Sequence, residues 1–162
     1  MTSIHDVAAY VLERLGSSVS TMKLQKLCFI AQGWTLGLLN RQLFPEDFEA
    51  WAKGPVAYDL FNRHRGRYTV SSWNGDPATL DSRDRIVVDA VLKNYGALSG
   101  LQLSEITHLG GSPWAQTRAE NGTREGEASN ATIAKELIGR YYAEKLIVTN
   151  AGSAYSASLA RD

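Results

Sequence analysis

The chain holds a single cysteine, Cys28. One thiol cannot close an internal disulfide, so the fold is held by packing alone, which suits a reducing cytoplasm. Apolar runs of membrane-spanning length are also missing. The densest apolar segment, residues 24–39, is interrupted by Gln25, Lys26, Gln32 and Thr35, well short of the roughly 20 residues a span requires. The opening MTSIHDVAAYVLERLG has no basic stretch followed by a continuous apolar run, so it does not read as a signal peptide. A protein of the cytoplasm, without a membrane partner, is the expectation. There is no charge excess either: 17 basic residues balance 17 acidic ones. That neutrality argues against nucleic acid as a partner, since such proteins usually carry a basic surplus, although a local basic patch remains open.

Catalytic signatures are absent as well. The three histidines, His5, His64 and His108, show no metal-ligand spacing, and Cys28 has no ligand near it in sequence. Gly110-Gly111 does not follow a strand, and no phosphate-binding loop or nucleophile elbow is present. No metal, cofactor or catalytic residue is expected, and the chain does not read as an enzyme. His108, a lone histidine at a helix end, could serve as an acid or base or simply hydrogen-bond the last carbonyls of its helix.

What is present is helical pattern. Ile4, Val7, Ala8, Val11, Leu12 and Leu15 form one apolar face, with Ser3 as N-cap and Gly16 as terminator. A second helix starts at Ser20 or Thr21 and runs to Leu39. Its main stripe is Leu24, Leu27, Cys28, Ala31, Trp34 and Leu38. Gly33 and Gly37 share a face of this helix, each costing about 1 kcal/mol relative to alanine. Either a neighbouring helix, the first or the last, packs closely there, or the helix frays. After a turn at residues 40–42, Phe48 to Lys53 shows weak alternation and reads as a short strand. Pro55 suits the first position of a third helix, ended by Gly66. Residues 68–73 read as a strand that would pair with residues 48–53. Asp81 caps a helix that ends at Gly96, Ser99 and Gln102 form a capping box, and Ser112-Pro113 starts another helix. Residues 120–130 form a polar loop. Asn130 or Thr132 caps a last helix with Ile133, Leu137, Ile138, Tyr141 and Tyr142 on its apolar side.

The expected fold is therefore mainly α: a compact single-domain bundle of about six to seven helices with a small two- or three-stranded β element. Residues 1–148 form the domain, and residues 149–162 form a tail expected to be disordered.

Three blocks carry a family resemblance. The first runs from Met22-Lys23-Leu24-Gln25-Lys26-Leu27 to Ala31-Gln32-Gly33-Trp34. The second comprises Leu43-Phe44, Glu49-Ala50-Trp51 and Gly54-Pro55-Val56. The third comprises Leu103-Ser104, Thr107-His108, Pro113-Trp114 and Arg118. In this order they resemble the Panacea-domain antitoxins, the group that includes SocA-like and GepA-like proteins. Lys26, Gln32, Trp34, Gly54, Pro55, His108, Pro113 and Trp114 are its signature positions. Ile30 and Lys53 depart from the residues frequent in the family, which bears on the choice of partner.

The resemblance implies a mostly helical fold with a small β element, and a protein that binds and neutralises a toxin encoded beside it in a bacterial or phage genome. Some SocA-like members deliver the toxin to a cytoplasmic protease, which makes a proteolytic adaptor the alternative. Many relatives carry a further DNA-binding domain, for which this chain is expected to be too short. The expected partner-binding residues are Trp51, Lys53, Tyr58 and Trp73, with Arg63 and Arg65 as rim charges. Trp51 and Trp73 can equally be ordinary packing residues. The basic run at Arg63, His64, Arg65 and Arg67, followed by Tyr68 and Trp73, leaves a nucleic-acid-binding regulator as the reading from a different class; a helix C-terminus also favours such cations.

Overall fold

The structure, a computed structural model, describes residues 1–151. Helix α1 (Ile4–Leu15) begins at a capping box in which Ser3 and Asp6 satisfy each other's backbone N–H groups, and it ends at left-handed Gly16. Helix α2 (Thr21–Leu39) is capped by the Ser20 hydroxyl, which accepts from the Lys23 N–H. Every residue of α2 from Leu24 to Thr35 is buried. A helix buried on all sides must be surrounded by other elements, and α2 is. It packs against α1, α4 (Ser82–Tyr95), α5 (Gly100–Thr107) and α7 (Lys135–Ala151). The shorter α3 (Tyr58–His64) and α6 (Pro113–Glu120) complete seven helices among the described residues. The mainly α bundle expected from the sequence is thus observed.

The two glycines of α2 have a packing reason. A Cβ on Gly33 would lie 2.2 Å from the Tyr142 ring, and one on Gly37 would lie 2.8 Å from the Ala143 backbone nitrogen. Their helix-propensity cost is offset by the close approach of α7, one of the two neighbours anticipated. The expected caps at Asp81, Ser99 and Ser112 are all formed.

The β structure differs from expectation in three places. Antiparallel β2 (Phe48–Trp51) and β3 (Gly54–Val56) form a hairpin, and β5 (Thr132–Ile133) adds to the other side of β2. Pro55 therefore lies in a strand, and α3 begins three residues later. Proline is tolerated because β3 is an edge strand. The Ala50 N–H is directed away from Pro55, to Ala131 O at 2.9 Å, so β2 requires no donor from Pro55. Second, the 68–73 segment does not pair with residues 48–53. Its β4 (Thr69–Val70) pairs with β1 (Val19–Ser20), just before α2. Third, Ile133 belongs to β5 rather than to the last helix, which starts at Lys135. Each of these strands spans only two to four residues, too few for a period-2 pattern to reveal its partner. At the chain end, α7 continues to Ala151, and the remainder of the expected tail lies outside the described residues.

Candidate partner-binding site

The β2–β3 hairpin turns through Ala52 and Lys53, and Trp51 pairs with Gly54 across its mouth. Side chains from three helices grip its backbone carbonyls. Arg118 Nη1 donates to Ala50 O at 2.8 Å, Trp114 Nε1 to Trp51 O at 2.6 Å, Ser104 Oγ to Lys53 O at 2.8 Å and Lys26 Nζ to Pro55 O at 3.2 Å. Just beyond, the Gln25 side chain bonds both the N–H and the C=O of Ala57. Hydrogen bonds from charged donors contribute roughly 1.5–3 kcal/mol each and neutral ones about 1 kcal/mol. The hairpin is therefore fixed far more firmly than its short ladder alone would allow.

This clamp contains two buried cations. Lys26 is 2% exposed, and burial pulls its ammonium down to about 8. Arg118 is 3% exposed and also donates to the carbonyls of Arg124 and Glu127. Its guanidinium lies 5.0 Å from the centre of the Trp114 ring. Gly54 has φ of 126°, and a Cβ there would lie 2.8 Å from Lys26 Cε. Glycine is thus required both by backbone conformation and by the lysine beneath it. His108 packs edge-on against Trp114 at 4.3 Å. Burial, followed by the Lys26 and Arg118 charges, holds its imidazole below the ordinary histidine value. Its backbone N–H bonds the carbonyls of Ser104 and Glu105, whereas its ring Nε2 is buried without a hydrogen bond among the described residues. The ring's hydrogen bond is to the Lys53 backbone in the hairpin rather than to the last carbonyls of its own helix.

A series of rings extends from the hairpin over α3. Trp51 meets Phe61 edge-on at 4.9 Å, Tyr58 lies 6.1 Å from Phe61, and the Arg65 guanidinium lies 5.3 Å from the Phe61 centre. Arg65 also donates to Tyr58 Oη at 2.8 Å. Phe61 then meets His64 at 5.5 Å, and His64 meets Trp73 at 6.3 Å. Trp73 is half-buried and donates to His5 Nδ1 at 3.1 Å. Beside Trp51 and Ala52 lies a groove of about 470 Å³, also lined by Ala128, Ser129 and Asn130. A second, of about 430 Å³, lies on the far side of Ala52 and is walled by His108, Trp114 and Arg118.

Two histidines in this series are fixed as neutral acceptors. The Gln25 amide oxygen accepts from Ala57 N–H, so its NH₂ faces His64 Nε2 at 3.1 Å, and that nitrogen must accept. His5 Nδ1 must likewise accept from the indole of Trp73. Burial lowers both imidazoles; Arg63 adds to the lowering at His5, and Lys26 does so at His64.

With this geometry in place, the comparisons with known proteins are specific. Residues 24–115, more than half of the chain, match the family described as antitoxin SocA-like, Panacea domain. The chain belongs to this family. Antitoxin SocA of Caulobacter vibrioides (strain NA1000 / CB15N) is 30% identical over 121 residues, which is 67% of this chain and 64% of that protein. The chain therefore aligns with less than two thirds of the length of this curated relative. No solved structure matches.

The matched region contains the entire clamp except Arg118. Of the residues that the resemblance singled out as signature positions, Lys26, His108 and Trp114 meet beneath the hairpin, against Gly54 and Pro55 of its β3 strand, and Pro113 opens α6 at the first helical position. Gln32 instead fastens Leu43-Phe44 by accepting from Leu43 N and donating to Phe44 O. Trp34 lies in the core, edge-on to Tyr95 at 5.9 Å. Among the expected partner residues, Trp51, Tyr58 and Arg65 come together around Phe61, and Trp73 ends the series. Arg63 bonds Asn74 O beside Trp73, while Lys53 is exposed on the hairpin turn. Phe61 was not among the residues picked from sequence, although its place three residues after Tyr58 and four before Arg65 is the signal of a shared helical face. No helix among the described residues is long and apolar enough to cross a membrane.

Proposed function

We propose that the chain is the antitoxin of a toxin–antitoxin pair and neutralises a cognate protein toxin by direct binding. The contact face is the hairpin tip together with α3, carrying Trp51, Lys53, Tyr58, Phe61 and Arg65, with Arg63 and Trp73 at its far edge. Residues 1–148 are the binding unit. The observation that supports this reading most is the four-carbonyl clamp. It sets the hairpin in one conformation before any partner arrives, so little ordering entropy is lost on binding. Half-buried aromatics rimmed by arginines have the composition of an interface anchor.

The test is to co-express the chain with the product of the neighbouring reading frame and to measure growth and affinity. Trp51→Ala or Phe61→Ala is expected to weaken toxin binding by about 30-fold, the ~2 kcal/mol typical of a central aromatic anchor, and to abolish rescue of growth. Unchanged affinity in both variants would remove the face from the account. The half-life of the toxin in the same cells separates simple blocking, which leaves it unchanged, from delivery to a protease, which shortens it.

A further inference from the structure

The end of α3 and the residues after it concentrate positive charge in a chain whose formal charges cancel. No ion pair among the described residues involves Arg63, Arg65 or Arg67. Arg63 bonds Asn74 O through one guanidinium nitrogen, and Arg65 is spent on Tyr58 and Asn62. The Arg67 side chain makes no hydrogen bond among the described residues. Between Arg63 and Arg67 lies a cleft of about 230 Å³, floored by Trp73 and closed by Val70, Ser72 and Asn74. The helix dipole accounts for cations in the last turn of α3, but not for Arg67, which lies beyond that turn. The floor is fixed from behind, since Trp73 is bonded to His5 and packed on His64.

We infer that this cleft is an anion subsite that receives a side-chain carboxylate from an acidic segment of the protein partner. The inference rests on the reading above that this face binds a protein, and it adds the chemistry of what docks there. Guanidinium groups take carboxylates in two-pronged, charge-assisted hydrogen bonds, and the indole wall excludes water from one side of the pair. A nucleic-acid backbone fits less well. Asp6, Glu46 and Asp59 lie near enough to His5, which backs the cleft, to raise its affinity for protons, and that negative charge disfavours a long polyanion more than a single carboxylate. Three arginines are also fewer than the roughly 6–10 phosphate contacts of a typical duplex footprint. A single acidic side chain, by contrast, needs only the two arginines and the indole.

The test uses a fluorescein-labelled acidic peptide of repeated Glu-Asp-Tyr units and a labelled oligothymidylate, each titrated by anisotropy into the full chain at low and near-physiological salt. Saturable binding of the peptide is expected, weakened about tenfold or more in Arg63→Glu/Arg67→Glu. The loss should be smaller in Arg63→Lys/Arg67→Lys, which keeps the charge without the fork. Arg14→Glu, on α1, should bind as the parent does. Thermal melting verifies that each variant is folded. Peptide binding that is absent, or unchanged by the charge reversal, overturns the inference. Tighter binding of oligothymidylate through the same two arginines also overturns it and gives the cleft to nucleic acid. Toxin rescue separates this failure from failure of the parent reading. Rescue lost in Phe61→Ala but intact in Arg63→Glu/Arg67→Glu sinks the subsite alone, and rescue intact in both sinks the whole face.

Discussion

Replacing Gly54 by alanine tests the hairpin clamp at its tightest point. Two separate costs arise. The backbone at φ of 126° lies in a region that side chains other than glycine rarely adopt, and such strain costs about 1–3 kcal/mol. The new methyl group would also stand 2.8 Å from Lys26 Cε and 3.2 Å from Nζ. A lysine end is usually free to move, but this one is buried and bonded to Pro55 O. Displacing it forfeits a charged hydrogen bond of roughly 1.5–3 kcal/mol. Together the loss is about 2.5–6 kcal/mol, or roughly 5–24 °C in Tm at about 2–4 °C per kcal/mol for a chain of this size. Gly66→Ala is the matched control. Gly66 has φ of 83° with nothing within 4 Å of the added carbon, so it reports strain alone. Thermal melts monitored by circular dichroism give both values. If Gly54→Ala melts no lower than Gly66→Ala, Lys26 does not hold the hairpin and the clamp argument is wrong.

Other perturbations have signs that follow from the same contacts. Gly37→Ala gains about 1 kcal/mol of helix propensity but pushes α2 off the α7 backbone, so a net loss of roughly 1–3 kcal/mol should appear in urea melts. Gly139→Ala, whose new carbon would lie 3.2 Å from Leu36 Cβ, should lose less. Acid should destabilise the fold. Burial lowers His5, His64 and His108 in the native state, so between those lowered values and about 6.5 the unfolded chain binds more protons, and stability falls as pH drops below about 6.5. Urea midpoints at pH 7.5 and pH 5.5 check this, and His64→Gln should flatten the slope. Trp114→Phe removes the donor to Trp51 O and should cost about 1–3 kcal/mol, with hydrogen exchange accelerating at the hairpin before it does in α1.

The readable parts of the sequence were those governed by local rules. The caps at Ser3, Ser20, Asp81, Ser99 and Ser112 each sit within three residues of the group they satisfy, and the apolar face of α1 repeats over three turns. Gly33 and Gly37 correctly pointed to a close neighbour because an exposed helix has no use for them. The site was less legible. Lys26 and Gln25 interrupt an apolar stripe and look like solvent-facing positions, yet both turn inward to backbone groups of the Gly54–Ala57 segment. Gly54-Pro55 read as a helix start, and the pairing with β2 places it instead in an edge strand. Arg118 entered only as the end of the third family block, and its three acceptors lie up to 68 residues away in sequence. The antitoxin reading was carried by family blocks rather than by any chemical motif.

The most direct measurement is hydrogen–deuterium exchange of the chain with and without the proposed toxin partner. The account predicts new protection confined to residues 48–73, strongest at the Trp51–Lys53 turn and along α3, with α4 and α7 unchanged. Protection on α4 or α7 with none on the hairpin would contradict it.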